Sequence, residues 1–342
     1  MSNEIIKIDG SYLEGGGQIL RTACTLSVIT KTPCHVFNIR KGRKKPGLMT
    51  QHLLGIQALA QLCSGKIEGD LLGSEEIKFF PGEIEAKDIH LKIGTAASIT
   101  LILQTLILPA LFSSNPIKII FDGGATDTFF SPTIDYFRYV FLKILEKMGA
   151  NVEINIIKRG FFPEGGAKVE VNVLPSKLTN LNLTKRGQLV RIEIMSGASE
   201  LLKEKQVAER QIAGVIEILG KLKLPMEKNV EYYKTQCPGS QICLVAIFEN
   251  TVIGADNLGK LGKRAEDVGK EAALEILKEG EFETCLDRYL ADQILPYIAI
   301  TGKRSRLTVS KVTNHCKSSI WVIEKFLKGK FEIKENLISW TP

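Results

Sequence analysis

The sequence predicts an α/β fold of the α+β kind, in which a large domain of repeated strand-and-helix units carries a smaller inserted α/β domain. Three observations predict it. The triplet FFP begins at Phe79 and again at Phe161, and glycine follows closely both times. Helix ends run into strands at QLCSGKIEG, EKMGANVEI and KFLKGKFEI, which makes Cys63, Met148 and Leu327 equivalent positions. The interval from Met148 to Leu327 is about twice that from Cys63 to Met148, so extra chain is inserted between the second and third copies. Internal periodicity of this kind is the main signature of a repeated architecture, and 342 residues is more than one hydrophobic core usually serves.

Within the first copy, hydrophobic spacing gives a strand at Ile5–Ile8, a glycine-rich turn, a helix over Gln18–Thr30 and a strand at Cys34–Ile39. A basic loop, a helix over Leu48–Leu62 and strands near Ile67 and Ile77 complete it. The helices are expected to cover one face of each sheet. The run from Ile99 to Phe112 is apolar but too short to cross a bilayer, and Gln104, Thr105 and Pro109 interrupt it, so it predicts a buried helix. The inserted segment, 185–280, offers the strand LVRIEIM, a helix over Lys205–Leu222, the strand ICLVAIF and a last helix through Glu266–Leu277. The expected division is 1–184 plus 281–342 for the large domain and 185–280 for the small one.

Composition narrows the setting. The apolar fraction of 44% and charged fraction of 24% are those of a globular protein. A net charge of +7 favours polyanionic partners, although the basic residues are scattered and form no tail. Seven cysteines with no CxxC pair argue against a disulfide framework or zinc cluster and for a reducing, cytoplasmic compartment; no membrane segment is expected.

Three segments carry chemistry. In KVTNHCKSSIWVIEKFL, His315 stands at the mouth of a helix beside Lys311, Thr313, Lys317 and Ser318, and it is the best nucleophile candidate. His35, His52 and His90 lack comparable surroundings in the sequence. The repeat places His315 where the first copy has Gln51 and the second Tyr136, so one copy is chemically specialised. EGGGQILR puts three glycines at a strand-to-helix turn between Glu14 and Arg21, which suits a phosphate cradle with a hard oxygen ligand for magnesium, although a triple glycine by itself is more often just a tight turn. The loop NIRKGRKKPG supplies Arg40, Lys41, Arg43, Lys44 and Lys45, a phosphate-binding patch or a solvated loop.

Two familiar patterns are set aside. GADNLGKL has the GxxxxGK spacing but ends in leucine where magnesium coordination needs Ser or Thr. KIDG at Lys7 matches the lysine nucleophile of ligases, but it lies in an alternating strand almost at the N-terminus.

Taken in order, DGSYLEGGGQILRTA, GRKKPGLMTQHL, IGTAASITLILQT, GGATDT with SPTIDYF, RGFFPEGGA, YLADQ and TNHCKSS resemble the RNA 3'-terminal phosphate cyclase family over nearly the whole chain. The resemblance implies a large domain of three βαβαββ units, like the C-terminal domain of a translation initiation factor, plus an inserted α/β module. It implies ATP-dependent conversion of an RNA 3'-phosphate to a 2',3'-cyclic phosphodiester, through a covalent histidine–AMP adduct and an RNA-(3')pp(5')A intermediate, with release of AMP and pyrophosphate.

By the same resemblance His315 is the nucleophile and Glu14 holds Mg2+ or Mn2+. Arg21, Arg40 and Arg43 neutralise phosphate charge; Gln51 and Gln104 contact the nucleotide. Tyr289, Leu290, Ala291, Asp292 and Gln293 line the adenosine pocket, and Pro132 packs on the base. The implied partner is an RNA bearing a 3'-phosphate, gripped through terminal phosphate and ribose. Relatives that act in ribosome assembly without the reaction lack the histidine, which leaves a binding protein as the rival reading.

Overall fold

The computed structural model describes residues 5–342. Four four-stranded mixed sheets are joined by helices. The first holds β1 (Ile6–Asp9), β2 (Cys34–Phe37), β3 (Lys66–Glu68) and β4 (Ile77–Phe80), with α1 (Gly17–Thr30) and α2 (Thr50–Leu62) between them. Its order is β1-β2-β4-β3, with β1 and β2 parallel and the other pairs antiparallel. Strand alternation decides its faces: Ile8, Cys34, Val36, Ile77 and Phe79 are buried, while Lys7 points to solvent. The KIDG lysine is therefore a surface strand residue.

The second sheet repeats this order as β5-β6-β8-β7, from β5 (Ile89–Ser98), β6 (Ile117–Ala125), β7 (Asn151–Lys158) and β8 (Lys168–Leu174). Its helices are α3 (Ile99–Ala110), capped by the Ser98 hydroxyl, and a longer one made of α4 (Ile134–Tyr136), a π-helical turn over Phe137–Phe141 and α5 (Leu142–Lys147). That π turn corrects one expected equivalence. From N-cap to C-cap, Thr133 to Met148 is one residue longer than Met49 to Cys63 or Thr313 to Leu327. A π turn absorbs one extra residue, so the position matching Gln51 and His315 is Asp135, not Tyr136.

A two-residue strand, β9 (Asn182–Leu183), precedes β10 (Leu189–Ser199), α6 (Val207–Leu219), β11 (Met226–Tyr233), β12 (Ser240–Phe248), β13 (Val252–Leu258) and α7 (Ala265–Gly280). The last four of these strands form the sheet β11-β10-β12-β13. This sheet buries a separate core with its two helices, including Ile194, Val215, Leu219, Leu244 and Ala273. The chain continues through α8 (Arg288–Ile300), β14 (Ser305–Thr308), α9 (Asn314–Phe326), β15 (Lys330–Lys334) and β16 (Leu337–Thr341). The fourth sheet is β15-β16-β14-β9, so β9 belongs to the last sheet although the extra segment separates it from β14. The last sheet thus takes one strand from before residues 185–280 and the rest from after them, a pairing hidden in the sequence by the shortness of β9.

Helices meet where the sheets do not. α1 packs on α2, α3 and α9, and α8 packs on α9. This brings the N-terminal ends of helices from the beginning and end of the chain into one crevice. All seven cysteines are free and buried, and no helix among the described residues is long and apolar enough to cross a membrane.

Candidate active site

His315 is the second residue of α9, whose N-cap Thr313 accepts the Cys316 N–H at 3.2 Å. The Ser318 hydroxyl donates to the His315 carbonyl at 3.1 Å, and the Gln18 amide donates to that hydroxyl at 3.1 Å. Those two bonds tie the start of α9 to the first turn of α1. They explain how residues about three hundred apart in sequence share a site.

The turn before α1 delivers Glu14. Gly15 sits at φ +54, a left-handed conformation that reverses the chain. Gly16 then serves as a cap without a side chain. A Cβ on Gly17 would stand 2.1 Å from His52 Nε2, so only glycine lets α1 start against that ring. The result is Glu14 Oε1 at 3.2 Å from His315 Nε2, with Arg43 Nη2 at 3.8 Å from Glu14 Oε2. On the other side of the imidazole, Asp292 Oδ2 lies 4.0 Å from His315 Nδ1. The His315 side chain keeps 40% exposure, so a ligand can reach it.

Burial governs the charges here. It lowers the His315 pKa below 6.5, with Arg21 and Arg43 adding to the effect and Glu14 opposing it, so the ring is neutral at pH 7. Asp292 is pushed up to about 7 by burial, against the pull of Arg21. Arg21, one turn into α1, is lowered to about 10 by burial, with Asp292 opposing, and stays cationic.

Gln18, Arg21, Gln104, Asp292, Gln293 and Tyr297 line a cavity running in from this crevice. Gln104 Nε2 donates to Gln293 Oε1 at 2.7 Å, and Gln293 Nε2 donates to the Tyr289 carbonyl at 2.6 Å, joining α3 to α8. Pro132 is held near the same end of α3, its carbonyl accepting the Thr100 hydroxyl at 2.9 Å one turn before Gln104. Tyr289 is 52% exposed, whereas Leu290 and Ala291 lie in the core. Asp287 caps α8 through the Tyr289 and Leu290 amides and also accepts from the Tyr136 hydroxyl at 2.6 Å and the Gly254 amide at 3.1 Å. The GxxxxGK-like glycine is therefore a strand residue of β13.

Arg40, at φ +55, donates from Nη1 to the Gly47 carbonyl at 2.8 Å. Gln51 is the second residue of α2, partly buried. The structure so gathers Glu14, Arg21, Arg43 and Asp292 directly around His315, and groups Gln104, Gln293 and Tyr289 at the α3–α8 junction.

Sequence reasoning passed over His52. It is buried against Gly17, its Nδ1 accepts the Met49 N–H at 3.2 Å, and burial together with Arg21 and Arg40 pushes its pKa down to about 3. Because the folded value lies below the ordinary 6.5, the folded state excludes a proton that the unfolded chain takes up. This contribution to stability is complete above pH 6.5 and is lost as pH falls toward 3. The expected loss from this group between pH 8 and pH 5 is about 2 kcal/mol. Urea unfolding at both pH values should show the natural protein losing about 2 kcal/mol more, or gaining that much less, than His52→Asn; equal pH dependence in the two would refute the buried neutral ring.

Among the described residues no cluster of three or more His, Cys, Asp or Glu could hold a metal. A single carboxylate beside a crevice suits Mg2+, which is held by one or two carboxylates together with substrate phosphate oxygens.

A sequence model described as RNA 3'-terminal phosphate cyclase matches residues 12–333. The chain is similar to the RNA 3'-terminal phosphate cyclase of Pyrococcus abyssi, with 44% identity over 96% of this chain and 95% of the relative. It is also similar to the proteins of that name from Pyrococcus furiosus (41%, covering 96% and 95%) and Sulfurisphaera tokodaii (42%, covering 96% of each). With a match of this extent, the chain belongs to the RNA 3'-terminal phosphate cyclase family.

Proposed function

We propose that the protein converts an RNA 3'-terminal phosphate to a 2',3'-cyclic phosphodiester using ATP, with His315 as the covalent nucleophile. The observation that carries this reading is the placement of a neutral, accessible imidazole between two carboxylates, Glu14 at Nε2 and Asp292 at Nδ1. Attack by Nε2 uses the tautomer with its proton on Nδ1, the side facing Asp292, and needs Glu14, now 3.2 Å from Nε2, to turn from the ring toward a cation. His315 Nε2 bonds to the α-phosphorus of ATP and pyrophosphate leaves. An oxygen of the RNA 3'-phosphate then takes the adenylyl group and the imidazole departs, giving RNA-(3')pp(5')A. The adjacent ribose 2'-oxygen, losing its proton, attacks the 3'-phosphorus and AMP leaves. Proximity of that hydroxyl supplies much of the last step.

Arg21, Arg40 and Arg43 offset charge on the phosphates. Gln51, Gln104, Tyr289, Asp292, Gln293 and Pro132 hold the nucleotide, with Leu290 and Ala291 forming the apolar floor beneath them. Mg2+ or Mn2+ at Glu14 supplies charge neutralisation to the leaving pyrophosphate when bound. The shared order of three sheets supports a large domain of three βαβαββ repeats, 1–184 plus 281–342, and the separate core of 185–280 supports an inserted module. Free buried cysteines accord with a reducing, cytoplasmic setting.

The test is direct. With ATP and magnesium, a 3'-phosphorylated oligoribonucleotide should become resistant to phosphatase and release AMP. An end that stays phosphatase-sensitive, with no AMP formed, sinks the reading. The rival, a binding protein without chemistry, would bind the oligonucleotide and leave its end unchanged.

A further inference from the structure

Beyond the reaction centre, one exposed feature on the catalytic helix has no part in the chemistry. Tyr12 and Trp321 stack with ring centroids 4.4 Å apart and planes 18° from parallel. Tyr12 is 38% exposed and lies two residues before Glu14; Trp321 lies six residues beyond His315 on α9. Lys325 Nζ stands 5.7 Å from the Trp321 ring centroid. On α9, Lys317, Trp321 and Lys325 recur at every fourth position, so they form one stripe on the helix surface. Both lysines are exposed, and exposed Lys41, Arg43, Lys44 and Lys45 lie on the loop whose Arg43 reaches Glu14.

We propose that this aromatic and cationic stripe carries the body of the RNA strand upstream of its 3'-phosphate, with a base stacked on the outer face of Tyr12. The proposal rests on the reading above that the 3'-end is held at His315. Its physical basis is the combination single-stranded nucleic acids need: a π-surface, which accepts any base, flanked by positive charge for the backbone. Charge and continuity both select RNA as the occupant. No carboxylate lies between Lys317 and Lys325 in the stripe itself, and Trp321 is about 9 Å along the helix from the nucleophile. Glu324, on the border of the stripe, is engaged by Lys330 at 2.9 Å and by the Phe331 amide at 2.8 Å, so it leaves Lys317 and Lys325 unneutralised. Such a platform gives affinity that grows with strand length while leaving base identity unread.

The experiment compares a ten-nucleotide 3'-phosphorylated oligoribonucleotide with a dinucleotide of the same end, by fluorescence anisotropy, for the natural protein, Tyr12→Ala and Lys325→Ala. Labelling by α-labelled ATP without RNA is the control. Tyr12→Ala should bind the longer RNA about tenfold more weakly and the dinucleotide unchanged. Lys325→Ala should weaken the longer RNA about threefold and flatten its salt dependence. ATP labelling should be unaltered in both.

Unchanged affinity of the longer RNA in both variants overturns the proposal, as does equal weakening of both lengths. If Tyr12→Ala also loses ATP labelling, its ring acts by holding the Glu14 loop, and Lys325→Ala alone decides. Variants that keep RNA affinity but change the sedimentation coefficient would give the stripe to a second protein copy and overturn the RNA assignment. Failure of the functional reading is seen separately, as a natural protein that neither labels with ATP nor cyclises RNA.

Discussion

His315→Ala is expected to carry no detectable AMP after incubation with α-labelled ATP, a fall of more than about a thousandfold, and to leave a 3'-phosphorylated RNA uncyclised. Three other candidate nucleophiles among the described residues are unsuited to replace the imidazole. Cys316, next in the chain, is fully buried and its thiol is pushed up to about 12, chiefly by burial, so it forms no thiolate at neutral pH. His52 is turned into the α1–α2 interface with Nδ1 occupied by a backbone donor. Lys7 is on the solvent face of β1.

Loss of a covalent nucleophile removes a step rather than weakening it. The defect should therefore be confined to activation. RNA already carrying the (3')pp(5')A end needs only attack by its own 2'-oxygen, and His315→Ala should still convert it to the cyclic product. Acid-labile AMP on the variant, or inability to cyclise the preactivated RNA while Arg21 and Arg43 are intact, would remove the imidazole from the role assigned to it.

What the sequence could reveal divides along physical lines. Periodic burial is local, so α1 and α2 were legible to within a residue or two: the expected Gln18–Thr30 is Gly17–Thr30 in the structure. The turn that carries Glu14 and the helix mouth that carries His315 were legible because glycine-rich turns and capped helix starts are local signals. Their 3.2 Å approach was not, since it depends on the Gln18–Ser318 bond across almost the whole chain.

Features with weak local signal escaped. β9 has two residues, one of them exposed, and β11 is largely exposed along MEKNVEYY, so neither shows a hydrophobic pattern. His52 looked ordinary because one of its close neighbours is Gly17, which has no side chain to suggest a contact. The π turn shifted the repeat register by one residue, and the signal for it, the extra residue between caps, is readable only once Thr133 is known to be the cap. Register, unlike periodicity, is a tertiary property.

Asp135, two residues past its N-cap threonine as His315 is past Thr313, anchors a buried ion cluster. Arg159 donates from Nη2 to both Asp135 oxygens at 2.6 and 2.8 Å and from Nη1 to Asp127 at 3.2 Å. Its guanidinium also lies 4.6 Å from the Tyr233 ring centroid, and Gln241 Nε2 donates to Asp135 at 2.7 Å, so β11 and β12 close over the cluster. All three charged side chains are at most 6% exposed.

Arg159→Ala would leave two carboxylates in a dry interior without a counter-ion, and the expected loss is about 3–5 kcal/mol in urea unfolding at pH 8. The pH dependence follows in sign. Burial already holds Asp127 up at about 6 even beside Arg159; without the guanidinium, its folded-state value rises further above that of the unfolded chain. Its protonated form then fits the interior, so the deficit is smallest near pH 4 and grows as pH rises through the folded value. Adding Asp135→Asn should restore part of the loss, because one buried charge remains in place of two. A deficit below about 1 kcal/mol, or one that does not change with pH, would mean that water reaches this cluster and that the contact of β11 and β12 with Arg159 is not what holds the inserted sheet to the second sheet.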